Sequence, residues 1–276
     1  MKSKNHFHIK YFCAWWGLDH LSTAGMLRKI KQGGFDGVEI GIPQNKKNRE
    51  LLRKLLIENE LEVIAHQYFA NHTNISEYKK QFAYHVEAAA SFKPVLINSH
   101  TGKDHWPVKE NLALVDIGNE IGDKYGVKVL HESHRGRFLY SASASLNYFE
   151  LHRDLKICAD LSHWVCVSES LLEDQQEALQ AAILRAHHLH ARIGHAQGPQ
   201  INDPRAPEWE LEIKTFTGWW QQIIDRAKAD QFPYFTITPE FGPFPYMPRL
   251  PYSLEPLGNQ WEINLFIKNY LKRTLH

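Results

Sequence analysis

Eight short apolar runs rich in β-branched residues, separated by stretches with helical spacing, constrain this 276-residue chain more than any other feature. The runs are HIKYFCA (8–14), GVEIG (37–41), LEVIAHQY (61–68), PVLINSH (94–100), VKVLHES (127–133), LKICADL (155–161), HLHARI (188–193) and YFTITPEF (234–241). Between them, TAGMLRKIKQGG ends on a double glycine suited to a helix C-terminus. NRELLRKLLIENE repeats leucine at helical spacing, and EDQQEALQAAILRAHH repeats alanine and leucine the same way. Eight strand–helix units in a chain of this length predict one (β/α)8 barrel domain over residues 1–276. A doubly wound open sheet is the rival, but no glycine-rich dinucleotide loop follows the first run. No linker rich in Pro, Gly or Ser divides the chain. TPEFGPFPYMPRLPYSLEP reads as a long loop after the eighth strand.

Composition narrows the function. Hydrophobic residues at 43% supply a sizeable core and exclude disorder. Thirty-two basic and 31 acidic residues leave a net charge of +1, no electrostatic footprint for nucleic acid or an anionic membrane. The N-terminal MKSKNHFHIKYF lacks a leader's apolar run, and no segment reads as a membrane span. Cys13, Cys158 and Cys166 have no zinc-motif spacing and read as reduced thiols, so a cytoplasmic protein is expected.

In a (β/α)8 barrel the reactive face lies at the C-terminal strand ends, where inward side chains converge. Alternation along each run turns Glu39, His66, Asn98, His100, Glu132, Asp160, His190 and Glu240 inward there. HHLHARIGHAQG (187–198) carries four of the 17 histidines. As a strand it puts His188, His190 and Arg192 on one face and Leu189, Ala191 and Ile193 on the other. A single strand-end carboxylate is usually a helix cap or a surface charge. Four carboxylates gathered at one barrel end repel one another unless protons or a cation neutralise them, and oxygen plus imidazole donors suit a divalent ion. Alternation alone leaves His188 and His190 equally placed as ligands.

From GGFDGVEIG through LHESHRG, ADLSHW and HLHARIG to TPEFG, the sequence resembles the xylose isomerase-like barrels. These include sugar isomerases, ketose 3-epimerases and endonuclease IV-type enzymes. The resemblance implies one divalent metal held by Glu132, Asp160, His190 and Glu240, with Glu132 and Glu240 also moving the substrate proton. It assigns substrate contact to His163, in the D-x-x-H of DLSHW. At position 196, where the epimerases carry a substrate-binding arginine, this chain has Ala196, and Arg192 and Arg205 are the two candidate replacements. His188 is placed to hold substrate oxygens. His66 and His100 are expected on the far side of the pore, where a sugar's tail extends. Trp15, Trp16, Tyr68, Phe69 and Trp106 are candidate sugar-packing rings, although aromatic residues as often seal a barrel top. Lys103 and Arg137 either hold a substrate phosphate or are solvated, the second reading being favoured.

The expectation is therefore a metal-dependent sugar isomerase or epimerase, acting next to a carbonyl on a monosaccharide, keto acid or inositol-like compound. Mn²⁺ or Mg²⁺ is the favoured ion, with Zn²⁺ or Co²⁺ as alternatives. Two other classes stay in view: an endonuclease IV-like phosphodiester hydrolase, against which the charge balance argues, and a metal-bearing binding protein without turnover. The expected partner is a small sugar or keto-polyol, with neither membrane nor nucleic acid involved. WEINLFIKNYLKRTLH is either a homo-oligomer interface or the last barrel helix packing inward, the second favoured.

Overall fold

Each of the eight apolar runs overlaps a strand in the computed structural model, which describes residues 7–276. Residues 1–6, half of the stretch read as lacking a leader, lie outside the described residues. The strands are β1 (His8–Ala14), β2 (Gly37–Ile40), β3 (Glu62–Gln67), β4 (Ile97–Ser99), β5 (Val129–Glu132), β6 (Ile157–Ala159), β7 (Ala186–Ala191) and β8 (Tyr234–Pro239). All pair in parallel, in sequence order, and β1 closes on β8. The intervening helices are α1 (Thr23–Gln32), α2 (Lys46–Glu58), α3 (Ile75–Ala90), α4 (Val108–Tyr125), α5 (Ala142–Leu151), α6 (Leu161–Ser168), α7 (Gln176–Arg185), α8 (Glu210–Ala229) and α9 (Gln260–Thr274). This is a (β/α)8 TIM barrel.

Helix boundaries follow local chemistry. Ser22, Asn45, Asn74, Ser141 and Asn259 cap α1, α2, α3, α5 and α9, each accepting a hydrogen bond from a first-turn backbone N–H. The double glycine closes α1 as expected: Gly33 donates to Lys29 O, and Gly34 takes the left-handed conformation at φ +69°. One boundary differs from the sequence reading. HHLHARI joins the barrel two residues earlier, because the chain is already extended at Ala186, opposite Ile157; α7 ends at Arg185 rather than running into the histidines. The alternation of His188 and His190 is unaffected. The connection between β6 and β7 carries two helices, α6 and α7.

Two apolar layers enclose the sheet. Outward residues such as Val38, Val63, Ile97, Val129, Leu189 and Ile237 pack into the core beneath the helices. Inside the barrel, Phe12, Ile64, Leu96, Leu130 and Cys158 form a separate plug. Gly37 makes room for it: a Cβ there would overlap the Phe12 ring and the carbonyl oxygen of Glu62. Helix α9 buries Ile263, Ile267 and Leu271 and packs by β8, as favoured for the C-terminal segment. Among the described residues no helix is long and apolar enough to cross a membrane, and all three cysteines are unpaired.

Two glycines make opposite predictions. Gly37→Ala should destabilise the fold by about 1–3 kcal/mol, the usual cost of overpacking. Gly218→Ala, on an exposed turn of α8 with nothing near the added methyl group, should stabilise by about 0.5–1 kcal/mol. Urea denaturation reads both; equal effects would contradict the packing described for Gly37.

Candidate metal centre and its cavity

Moving two residues along each strand from the plug crosses from apolar to polar. Ile64 gives way to His66, Leu96 to Asn98, Leu130 to Glu132 and Cys158 to Asp160, while Gly37 gives way to Glu39. His190 and Glu240 complete the ring from β7 and the end of β8. All except His66 are almost wholly buried. The strand period of two thus delivers one carboxylate- and imidazole-rich layer at the C-terminal end.

Glu39 organises this layer. Its Oε1 accepts from Asn98 Nδ2 (3.0 Å) and meets His190 Nε2 at 2.9 Å. Its Oε2 accepts from Thr238 Oγ1 (2.6 Å) and lies 3.2 Å from His188 Nε2. With Nε2 so engaged, His190 turns Nδ1 toward Glu240 Oε2 (2.8 Å) and Glu132 Oε1 (3.7 Å). Glu132 Oε2 accepts from Asn98 Nδ2 at 2.7 Å. Asp160 divides its oxygens: Oδ1 caps α6 through Ser162 N (3.1 Å) and Oγ (2.5 Å), while Oδ2 accepts from Arg192 Nε (3.1 Å). Arg192 also donates through Nη2 to Glu240.

Burial would raise every carboxyl here, and the neighbours decide the outcome. His190 and His188 hold Glu39 well below the usual carboxylate range, and His100 and His190 do the same for Glu132. Glu240 is lowered by His190 and Arg192. Asp160 goes the other way: burial lifts it to about 6 despite Arg192. Burial would lower His190, but Cys158 and the carboxylates of Glu240, Glu39 and Glu132 raise it well above its ordinary value. Burial, reinforced by His134, keeps His163 well below the usual histidine value.

The donor set suits a divalent ion. One atom each from Glu132, Asp160, His190 and Glu240 lies within 4.8 Å of the others. Ligands on one ion at about 2.0–2.3 Å stand no more than about 4.6 Å apart, so a small closure suffices. His190 Nδ1 is buried and faces the three carboxylates, 2.8 Å from Glu240 Oε2, while Glu39 holds the ring from behind, the usual support for a ligating imidazole.

Above the centre opens a cavity of about 480 Å³, lined by Trp15, Trp16, His66, Tyr68, His100, His134, Arg137, Arg192 and Tyr246 together with Glu39, Glu132 and Glu240. Of the sequence candidates, His66, His100, Arg192 and Trp15 reach it. His66 and His100 are nearer the centre than expected: their Nε2 atoms stand 3.6 and 3.3 Å from Glu132 Oε2. His188 does not line the cavity; it lies beneath it, with Nδ1 on Thr236 and Nε2 toward Glu39, so the expected contact with substrate oxygens has no free nitrogen to make it. His163 is fully buried, with Nδ1 against Arg135 Nη1 (3.1 Å) and Nε2 3.6 Å from Asp160 Oδ2. Between the two candidates for the missing arginine, Arg192 enters the cavity, whereas Arg205 pairs with Asp203 outside it. Phe69 and Trp106 do not line it either. His134 escaped the sequence reading, although alternation continued two residues past Glu132 points to it. Tyr246 carried no such signal, because it sits in the proline-rich loop, where side chains have no period.

A family profile described as xylose isomerase-like TIM barrel matches residues 27–227. The chain belongs to that family. No curated protein matches it. Among solved structures, a xylose isomerase-like TIM barrel protein from Mycobacterium smegmatis in complex with magnesium is 13% identical, with 100% of each chain covered and a TM-score of 0.62. The 3-keto-D-glucoside 4-epimerase of E. coli is 15% identical over 97% of this chain and 99% of its own, with a TM-score of 0.61. Endonuclease IV from Thermus thermophilus is 13% identical over 96% of this chain and 99% of its own, with a TM-score of 0.58. At such identities the likeness is one of fold. Proteins of this fold thus include enzymes of more than one reaction class.

Metal binding at this centre should be strongly pH-dependent. A ligating carboxyl must be ionised and a ligating imidazole neutral. His190 is pushed well above its ordinary value by its acidic neighbours, and Asp160 takes up a proton below about 6. Affinity should therefore fall as pH drops, more steeply below about 6, where Asp160 adds a second displaced proton. Calorimetric Mn²⁺ titrations from pH 5 to 8 measure this; a pH-independent affinity would contradict the assigned ligands.

Proposed function

We propose that this chain is a metal-dependent isomerase or epimerase of a small sugar or keto-polyol, with one divalent ion held by Glu132, Asp160, His190 and Glu240. The observation that carries the reading is the position of the ligand set: Glu132 and Glu240 line the floor of a small, aromatic-walled cavity, with Asp160 and His190 buried beside them. The hard, oxygen-rich donors favour Mn²⁺ or Mg²⁺. When bound, the ion supplies Lewis-acid stabilisation of the charge that develops on a substrate carbonyl oxygen.

The protein's own groups do the rest. Glu132 is held ionised, as a general base requires. Glu240 approaches from β8, three strands round the barrel from β5. One carboxylate removes the proton beside the carbonyl and the other returns it, to the same carbon in an epimerase or to its neighbour in an isomerase. Arg192 Nη1 is buried without a partner, a free donor for a substrate oxygen. The guanidinium is steadied 4.4 Å from the Tyr246 ring. Trp15, Trp16 and Tyr246 shield the proton transfer from water.

Gln substitution separates catalysis from binding. Glu132→Gln and Glu240→Gln each keep an oxygen ligand but remove a base, so proton exchange from deuterated solvent into a ketose panel should fall at least about 10²-fold. Metal content, measured alongside, should persist. Full exchange in both variants with metal retained would remove these residues from proton transfer; no exchange in the native protein would favour a binding role. The endonuclease reading draws on a second close group, His66, His100 and Glu132; salt-sensitive binding of abasic DNA would mark it.

A further inference from the structure

The cavity is bipolar. Its floor is acidic, but on the wall formed by the loops after β4 and β5 the charge reverses. Arg137 lines the cavity there, half-buried, with Nη2 3.5 Å from His100 Nδ1 and the Tyr78 hydroxyl beside it. Lys103, also half-buried, stands close enough that burial and the Arg137 charge together lower its pKa. Among the described residues neither cation has a carboxylate at ion-pair distance; Asp104, next to Lys103, offsets part of its charge but has its Oδ1 2.9 Å from His105 Nδ1. Arg135 adds a third charge to this wall, against His163 and 4.9 Å from the Tyr246 ring, likewise without an acid. Like charges drawn together out of water without a counter-ion are unfavourable unless an anion joins them. A guanidinium fork fits a carboxylate or a phosphate best.

His100 sets the length of the occupant. Its Nε2 lies 3.3 Å from Glu132 Oε2 and its Nδ1 3.5 Å from Arg137 Nη2, so one imidazole separates the reacting carboxylate from the guanidinium. A short carbon chain spans that gap. We propose that Arg137 forms an anion subsite on this wall, with the Lys103 charge behind it, and that the substrate carries a carboxylate or phosphate at the end remote from Glu132 and Glu240. The identity of the reacting end rests on the isomerase reading; the subsite rests on the unpaired cations alone. It also reverses the sequence expectation that these two residues are merely solvated.

The test is calorimetric titration of native protein with D-fructose, D-fructose 6-phosphate, 2-keto-D-gluconate and inorganic phosphate at low ionic strength, before and after removal of metal by dialysis against chelator. At least one anionic ligand should bind about tenfold or more tighter than fructose, the worth of a charge-assisted hydrogen bond. Preference for the phosphate ester assigns a phosphate, and preference for the keto acid a carboxylate. Arg137→Met should abolish the preference with metal content intact, Lys103→Met should reduce it, and Arg137→Lys should retain part of it. If no anionic ligand is preferred by the native protein, if Arg137→Met keeps the preference, or if the preference is present only with metal bound and is indifferent to Arg137, the subsite is refuted. A native protein with metal content intact but no anion preference counts only against this subsite. Absence of metal with the preference intact counts only against the isomerase reading.

Discussion

Glu39 carries a buried negative charge across the mouth of the barrel, and much else depends on how it is satisfied. From β2 it reaches Asn98 on β4, His188 and His190 on β7, and Thr238 on β8. An ionised carboxylate out of water is tolerated only when nearly every lone pair is met, and here four partners from three other strands meet them. The same contacts fix which nitrogen of His190 faces the cavity. Without Glu39 on Nε2, the ring has no reason to hold Nδ1 among Glu132, Asp160 and Glu240.

Charge balance then explains the rest of the layer. Glu132, Asp160 and Glu240 add three carboxyls to the one on Glu39, and the protein supplies only part of the compensation. Arg192 bridges Asp160 and Glu240, and His190 contributes a proton held by its acidic neighbours. Burial, with the Glu240 charge adding to it, pushes Asp160 up to about 6, toward the protonated state. A divalent cation in place of protons resolves the strain with ligands already oriented, which is why the arrangement reads as a centre poised for metal rather than a self-sufficient salt-bridge network. The bipolar cavity above it continues the theme, with acids below and unpaired cations on one wall.

Much of this was legible in the chain. The eight apolar runs located the eight strands, and the period of two put Glu39, Glu132, Asp160 and His190 on the inner face. What alternation could not decide was depth: His188 and His190 share a face, but only contacts from β2 and β8 show that one lies under the centre and the other within it. The reach of His66 and His100 to Glu132 likewise depends on how far strands stagger round a closed sheet, a property of the whole barrel and not of any one run. Tyr246 was illegible for another reason, since its place is set by a proline-rich loop folding back over the strand ends.

The account turns on whether those four side chains bind an ion. Titration of chelator-stripped protein with Mn²⁺, following free ion by electron paramagnetic resonance, tests this without reference to any substrate. The account predicts one saturable site per chain that disappears in His190→Ala while the barrel remains folded. A native chain with no saturable site, or a His190→Ala variant that binds as tightly, would contradict it.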